Sequence, residues 1–495
     1  MTSKKSIRIS FYIILVIFIS LSLSKSFRQY YVTTLDGDIA ESTLPYSPIQ
    51  KTFDDPTGIK TIINKDYHTG TNRFFSHYFL HLTYRTVPSL LQKFTNPIDS
   101  VYYTSAIAKI IIQILILLLL TFIINGKTNV FSLRFIVTAT LLIPFFQTNG
   151  KYLAHEIGIM DKYVSYCFFY ALPLVFLLLY YFPIFLEFLH DKKVKITWYF
   201  AIIWAVIAII ACFSGPLNSP IVLITNAILF THIFYRNWKT NKANSFYKKI
   251  LNTIQTIDSR IYIFLFPITL IALYSTFLGT FIGVYPELQL SLKDMYLILP
   301  KGILKSFTSV SYIIFLFLLL TNYFIVFYKY RNVSQSSKIF GLYRFLIVFS
   351  LIYILLLPLG GYRPYRPHIL RYDTILPITI LSILTICYTS LFILKQLKNE
   401  KWSFYLKTIY PSVFLSLLVF FLIRNKTYVY NECEKTALKI ISNSEEDIVA
   451  LDCNCAVISW EPLYNPEESK NYGELLYLWK ITDKPKLYYN SLKSK

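Results

Sequence analysis

The sequence predicts an all-α, polytopic membrane protein of about eleven transmembrane helices, closed by a small α/β domain at its C-terminus. Three observations predict it. Of the 495 residues, 55% are hydrophobic, 18% aromatic and only 15% charged, and the mean hydropathy is +0.48. Apolar runs recur along most of the chain, each close to the ~20 residues that carry a helix across a ~30 Å hydrocarbon layer. The last stretch then changes character: it is polar, holds three of the six cysteines, and has alternating segments such as Asp447-Ile448-Val449-Ala450-Leu451. This composition excludes disordered, collagen-like and disulfide-scaffold proteins.

The first apolar run, Phe11 to Leu23, follows Lys4, Lys5 and Arg8. A cleaved signal peptide or an anchor would read this way, and with no small-x-small site after it the run is read as an uncleaved anchor. The polar segment 24–100 follows and is the longest loop between spans. Ten further runs lie at 102–124, 131–146, 164–186, 196–213, 221–235, 261–281, 310–328, 345–359, 374–394 and 410–423. Lipid offers no partner for open backbone groups, and the runs lack barrel alternation, so they are read as helices.

Charge fixes the orientation. With the N-terminus cytoplasmic, the inside loops carry Lys192, Lys193, Lys195, Lys239, Lys248, Lys249, Lys329, Arg331, Lys338, Arg344, Lys395, Lys398 and Lys401. That is the positive-inside bias. It accounts for most of the net charge of +22 and makes nucleic acid an unneeded partner. The expected organisation is a transmembrane domain over 1–423, including the outside loop 24–100, and a soluble outside domain over 424–495. Cys167, Cys212 and Cys387 fall in apolar runs and read as small core residues.

Candidate chemistry gathers on the outside face. The first loop opens with Asp36-Gly37-Asp38-Ile39-Ala40-Glu41. Three carboxylates in six residues can bind a divalent cation or accept a hydroxyl proton, and Gly37 lets the chain turn. An ordinary solvated Asp-Gly turn has the same letters. The second loop holds His155, Glu156 and Asp161, either a second acidic contribution or loop solvation. Residues 72–94 read as a helix that lies on the bilayer or packs on other loops. Its His77 and His81 share a helix face but lack a third metal ligand.

The loop 360–373 holds Arg363, Arg366, His368, Arg371 and Tyr372 between two apolar runs, against the charge bias. Guanidinium forks bind phosphate in two-pronged fashion, and Pro364 and Pro367 stiffen the loop; headgroup anchoring is the competing reading. In the tail, Cys433 can pair with Cys453 or Cys455, leaving one thiol.

Together these features resemble the GT-C superfamily of integral-membrane glycosyltransferases, which includes protein mannosyltransferases and the aminoarabinose transferase of lipid A. The resemblance covers nearly the whole chain. It implies catalytic roles for Asp38 and Asp36, with Glu41 as a third acid and Glu156 or Asp161 as a second-loop acid. The family's lipid-phosphate motif, an Arg-Tyr followed shortly by Pro, falls on Arg371-Tyr372, but Pro377 follows at a longer gap than the motif has, a departure that shifts the phosphate role toward Arg363 and Arg366, with His368 beside them. The implied activity moves a sugar, a hexose or pentose, from a polyprenyl-phosphate donor to a glycan, lipid or protein acceptor at the outer face, with inversion. A divalent cation is compatible with this chemistry and not required by it; the cofactor stays unknown. The expected location is a bacterial inner membrane with a periplasmic active face. The alternative is a transporter or flippase of lipid-linked saccharide, which would carry charge inside its spans. Lys109 and Glu187 lie near span ends, which favours surface chemistry. A polysaccharide polymerase or ligase is a third reading.

Overall fold

The computed structural model describes residues 2–65, 70–126, 129–146, 159–241, 245–281, 290–362, 368–399, 404–423 and 430–491. Arg363, Arg366, His155 and Glu156 lie outside them. The helices are α1 (Thr2–Tyr31), α2 (Gly37–Thr43), α3 (Ser47–Asp54), α4 (Ile59–Asn64), α5 (Phe74–Leu91), α6 (Pro97–Asn125) and α7 (Leu133–Leu142). Next come α8 (Val164–His190), α9 (Trp198–Cys212), α10 (Asn218–Thr240), α11 (Phe246–Gln255) and α12 (Ser259–Leu278). The remainder are α13 (Leu292–Phe307), α14 (Val310–Lys329), α15 (Ser334–Leu356), α16 (Leu376–Asn399), α17 (Phe404–Ile423), α18 (Glu432–Asn443) and α19 (Lys470–Leu478). Two short strands, β1 (Ile448–Leu451) and β2 (Leu487–Asn490), pair in parallel. The protein is therefore the helical membrane protein with a small α/β tail that the composition implies.

Each of the eleven apolar runs falls on a helix. Eight helices are long and apolar enough to cross a membrane by length and composition among the described residues. Of the other three runs, those at 131–146 and 196–213 give apolar helices of only Leu133–Phe145 and Trp198–Cys212, short of a full crossing, and the run at 410–423 lies on α17 (Phe404–Ile423), which is not among the eight. The first helix also outruns its expected end at residue 23. Ser26, Gln29 and Tyr30 beyond that point are buried, and the Tyr30 hydroxyl donates to Gln113 Oε1 at 2.6 Å on α6. Polar side chains with partners on a neighbouring helix let α1 continue where hydropathy alone would stop it.

The chain forms two compact units. The first comprises 1–56, 74–175 and 401–495, the second 57–73 and 176–400. The expected border at 423 is a change in composition, while the compact units divide elsewhere: the tail belongs to the first unit. One hydrophobic core there joins Leu35, Ile39 and Ala40 of the acidic turn to Leu80 and Tyr84 of α5, Val101 and Tyr102 of α6, and Val164 and Phe168 of α8. From the tail it takes Leu438, Ile441, Val457, Ile458, Leu475, Leu476 and Trp479. Trp479 is 1% exposed, and its indole N–H donates to the Tyr84 carbonyl at 2.8 Å. Lys435 adds an ion pair to Asp99 at 2.8 Å and lies 4.1 Å above the Tyr31 ring. Of the two pairings open to Cys433, the structure takes Cys455, and Cys453 stays a free thiol.

α5 is the helix expected over 72–94. One face buries His77, Leu80, Tyr84 and Pro88, the other exposes Tyr78, Leu82 and Leu90. His77 and His81 do share a face, but they spend it on α2: Nδ1 of His77 lies 3.3 Å from Ser42 Oγ, and Nδ1 of His81 lies 3.0 Å from the Ser42 carbonyl. These two histidines seat the helix that carries the acids.

In the second unit, α10 packs on α12 and α15, and α14 on α16. Side-chain amides stitch the helices together, as is common where lipid supplies no hydrophobic drive between them. Asn226 Nδ2 donates to Thr269 Oγ1 at 2.7 Å, and Asn322 Nδ2 to Ser390 Oγ at 2.9 Å. Gly302 lets α13 lie flat on residues 368–371, since a Cβ there would sit 2.8 Å from the Leu370 carbonyl oxygen.

Candidate active site

The acidic turn is built from both ends of the chain. α1 ends at Tyr31, the chain turns at Val32 and Thr33, and Asp36 is extended (φ −115°, ψ 158°) before α2 begins. Glu434 of α18, 1% exposed, holds this stretch by accepting from the Leu35 N–H at 3.0 Å and the Tyr102 hydroxyl at 2.8 Å, with the Ile458 N–H on its other oxygen at 2.8 Å. Burial lifts its carboxyl to about 7 despite the three donors.

Asp36 is wholly buried. It precedes α2, yet it does not cap that helix. Its Oδ2 accepts from the Ser165 N–H at 3.2 Å, one of the unpaired donors in the first turn of α8. Its Oδ1 is buried without a hydrogen-bond partner. Burial first, then the charge of Asp38, raises its pKa to about 8, so the group holds a proton at neutral pH. Asp38, one residue into α2, is only half-buried, and its Oδ1 accepts from the Trp460 indole N–H at 3.2 Å. Glu41 lies one turn further, raised to about 7 by burial and then by Asp38. Tyr472 of α19 feels the same two acids, Glu41 before Asp38, and burial with their charge pushes its phenol up to about 12.

Asp161 joins this group. It is buried, its charge is felt by Asp36, and its Oδ1 accepts from the Tyr163 N–H at 2.9 Å, which shapes the entry into α8. The Lys109 ammonium on α6, also buried, donates to the Lys162 carbonyl at 2.7 Å and lies 4.4 Å from the Tyr30 ring centroid. It thereby fixes the segment that presents Ser165. The structure thus brings Asp36, Asp38, Glu41 and Asp161 into one unit.

In the second unit, His368, Arg371 and Tyr372 lie in a compact loop. Arg371 Nε is 2.8 Å from Asp373 Oδ1, and its Nη1 donates to the His368 carbonyl at 2.9 Å, so this arginine is partly neutralised from within. Lysines of α13 add charge that the motif reading missed: Lys305 Nζ lies 3.4 Å from His368 Nε2, and His368 is lowered by burial, then by Lys305, Lys301 and Arg371. Such a cationic cluster suits an anion.

Among the described residues, the acids of the first unit do not form a ready cation cage. The one group of three or more ligand-type side chains placed together among the described residues is Cys433, Cys453 and Cys455, whose sulfurs lie within 4.8 Å of one another, and two of these are joined in the disulfide. Sequence reasoning also missed Glu434, Trp460 and Ser165. A tryptophan inside the polar stretch Ser459-Trp460-Glu461-Pro462 was the one available signal.

No family model matches the chain, and no curated protein matches it. Among solved structures, the chain is similar to the oligosaccharyltransferase of Archaeoglobus fulgidus, solved tethered to an acceptor peptide containing the NVT sequon. The identity is 10% and the TM-score 0.41, over 87% of this chain and 58% of that one, so the chain spans less than two thirds of that protein's length. At this distance the likeness carries no argument.

Proposed function

We propose that the protein is a glycosyltransferase that moves a sugar from a polyprenyl-phosphate donor to an acceptor hydroxyl at the outer face of the membrane, inverting the anomeric centre. The observation that carries the reading is the division of labour among the acids. Asp36 is buried and proton-bearing, Glu41 is raised to about 7, and Asp38 is the half-exposed carboxylate presented on a short helix. A more exposed acid beside buried, proton-holding neighbours is the one placed to meet an acceptor hydroxyl.

In this reading Asp38 takes the proton from the acceptor hydroxyl as its oxygen attacks the anomeric carbon. The bond to phosphate breaks, and the polyprenyl phosphate leaves with the electron pair. Taken by itself, the charged loop of the second unit is the candidate for binding a lipid phosphate, with His368 and Arg371 beside Lys301 and Lys305, and with Arg363, Arg366 and Tyr372 as further ligands. The outer-face location is supported by the Cys433–Cys455 disulfide, which belongs to an oxidising compartment, and by the lysine-rich loops assigned to the inside.

The test uses purified wild type and Asp38→Asn in detergent, with a panel of radiolabelled polyprenyl-phosphate sugars and membrane extract as acceptor. Wild-type turnover that disappears in the variant, with donor binding retained, supports the reading. Donor binding without consumption by wild type removes the enzyme claim and leaves transport of the lipid-linked sugar to be measured in liposomes.

A further inference from the structure

Trp460 has no role in the reaction just described, yet the tail carries it to the acidic turn. Its indole is 39% exposed, too open for a core residue. The pyrrole edge lies over Gly37, where an added Cβ would meet Trp460 Cδ1 at 2.7 Å. Tyr163 meets the ring edge-on at 4.9 Å (80°), and Tyr166 lies tilted at 5.5 Å (33°). The Lys162 ammonium sits 4.4 Å over the Tyr163 ring, while the indole keeps its 39% exposure. The indole N–H points to Asp38.

We propose that Trp460, braced by Tyr163 and Tyr166, is a stacking platform for a pyranose ring, and that this ring is the acceptor's, so that the acceptor is a saccharide. The inference rests on the glycosyltransferase reading and names its acceptor class.

The chemistry follows from both surfaces. An aromatic face is electron-rich, and one face of a sugar ring is a sheet of slightly positive C–H bonds; the rim of hydroxyls needs acceptors and donors close by. Asp38, 3.2 Å from the indole N–H, is such an acceptor beside the ring. Anchoring at the lipid interface is the other common task of an exposed tryptophan, but it turns the N–H toward headgroups. Here the N–H is spent on a carboxylate, which registers the ring plane against that carboxylate. A ring lying on this indole has its edge hydroxyls beside Asp38, the group that takes the acceptor proton. That places the acceptor, rather than the donor, on the platform.

The test uses full-length wild type, Trp460→Phe and Trp460→Ala in detergent. Saturation-transfer NMR is recorded with methyl glycosides of glucose, galactose, mannose and N-acetylglucosamine, with a threonine-containing peptide as control. At least one glycoside is expected to bind wild type with its saturation concentrated on the C–H protons of one ring face. Trp460→Phe keeps the stack and the binding; Trp460→Ala weakens it about tenfold, the upper end of what one aromatic face supplies. In the transfer assay, Trp460→Ala raises the acceptor KM about as much and leaves the donor KM alone. The proposal is overturned if no glycoside binds, if Trp460→Ala binds as wild type does, or if only the donor KM moves. Transfer with an unchanged acceptor KM in Trp460→Ala sinks the platform and leaves the transferase standing. Glycoside binding through Trp460 without any sugar transfer sinks the transferase reading and with it the acceptor assignment, leaving the saccharide platform.

Discussion

Asp36→Asn separates the buried acid from the presented one. The amide has the shape of the protonated carboxyl, keeps a carbonyl oxygen for the Ser165 N–H, and places no charge beside Asp38. Because the native carboxyl is raised from 3.8 to about 8, its contribution to stability is fully present below about pH 4 and is lost as pH rises through about 8. A shift of that size corresponds to on the order of 5 kcal/mol at 1.36 kcal/mol per unit. Glu41 and Glu434, each raised to about 7, impose slopes of the same sign on wild type and variant alike, so the difference between the two proteins isolates Asp36. Thermal melting of both full-length proteins in one detergent, stepped from pH 5 to pH 9, reads that difference. The variant is expected to melt close to wild type near pH 5 and higher above pH 8, by on the order of 10 °C. A gap that does not change with pH, or a variant less stable than wild type at pH 8, refutes the account of Asp36 as a proton-holding group.

Glu434→Gln turns one acceptor oxygen into an N–H facing a donor. A loss of about 1–3 kcal/mol is expected, read as a lower melting temperature, with turnover falling because Leu35 and hence Asp36 are no longer fixed. Lys305→Ala should raise the KM for the polyprenyl-phosphate sugar while leaving that for the acceptor unchanged. Its effect should shrink in 0.5 M salt, where charge on an exposed lysine is screened; a salt-independent effect would argue for packing instead.

The helical frame was legible because a long apolar run in lipid has one solution, and all eleven runs lie on helices. Their limits were less so: Ser26, Gln29 and Tyr30 look like loop by hydropathy and become helix through α6. The acidic motif was legible from its place just after the first span, and Asp161 from its loop. What the letters could not carry was each acid's surroundings. Asp36 is neutral because burial, then the charges of Asp38 and Asp161, outweigh the Ser165 contact that favours its carboxylate, and Leu35 beside it is held by Glu434, 399 residues away in the chain. The Arg371 reading ran into a related limit, since Asp373 two residues on takes part of its charge. Trp460 was invisible for the same cause: its meaning depends on Gly37 lying underneath.

The same long-range closure argues that the tail is not a detachable domain. Its residues Leu438, Ile441, Val457, Ile458, Leu475, Leu476 and Trp479 share one core with Leu35, Ile39, Ala40, Leu80 and Tyr84. Each large apolar side chain buried there contributes about 1.5–3 kcal/mol relative to exposure. Ending the chain at residue 423 strips the outer half of that core, leaves the Leu35 N–H and Tyr102 hydroxyl without their carboxylate, and uncovers Gly37. The apolar helices keep their own contacts in the membrane, so the truncated protein should still insert. Its acidic turn should not hold. Limited proteolysis of membranes bearing the 1–423 chain should cut between residues 32 and 56 at protease levels that leave the full-length protein whole. Equal resistance in both proteins would show that α5 and α6 alone order the turn, and the tail would then be an independent module resting on a site already formed.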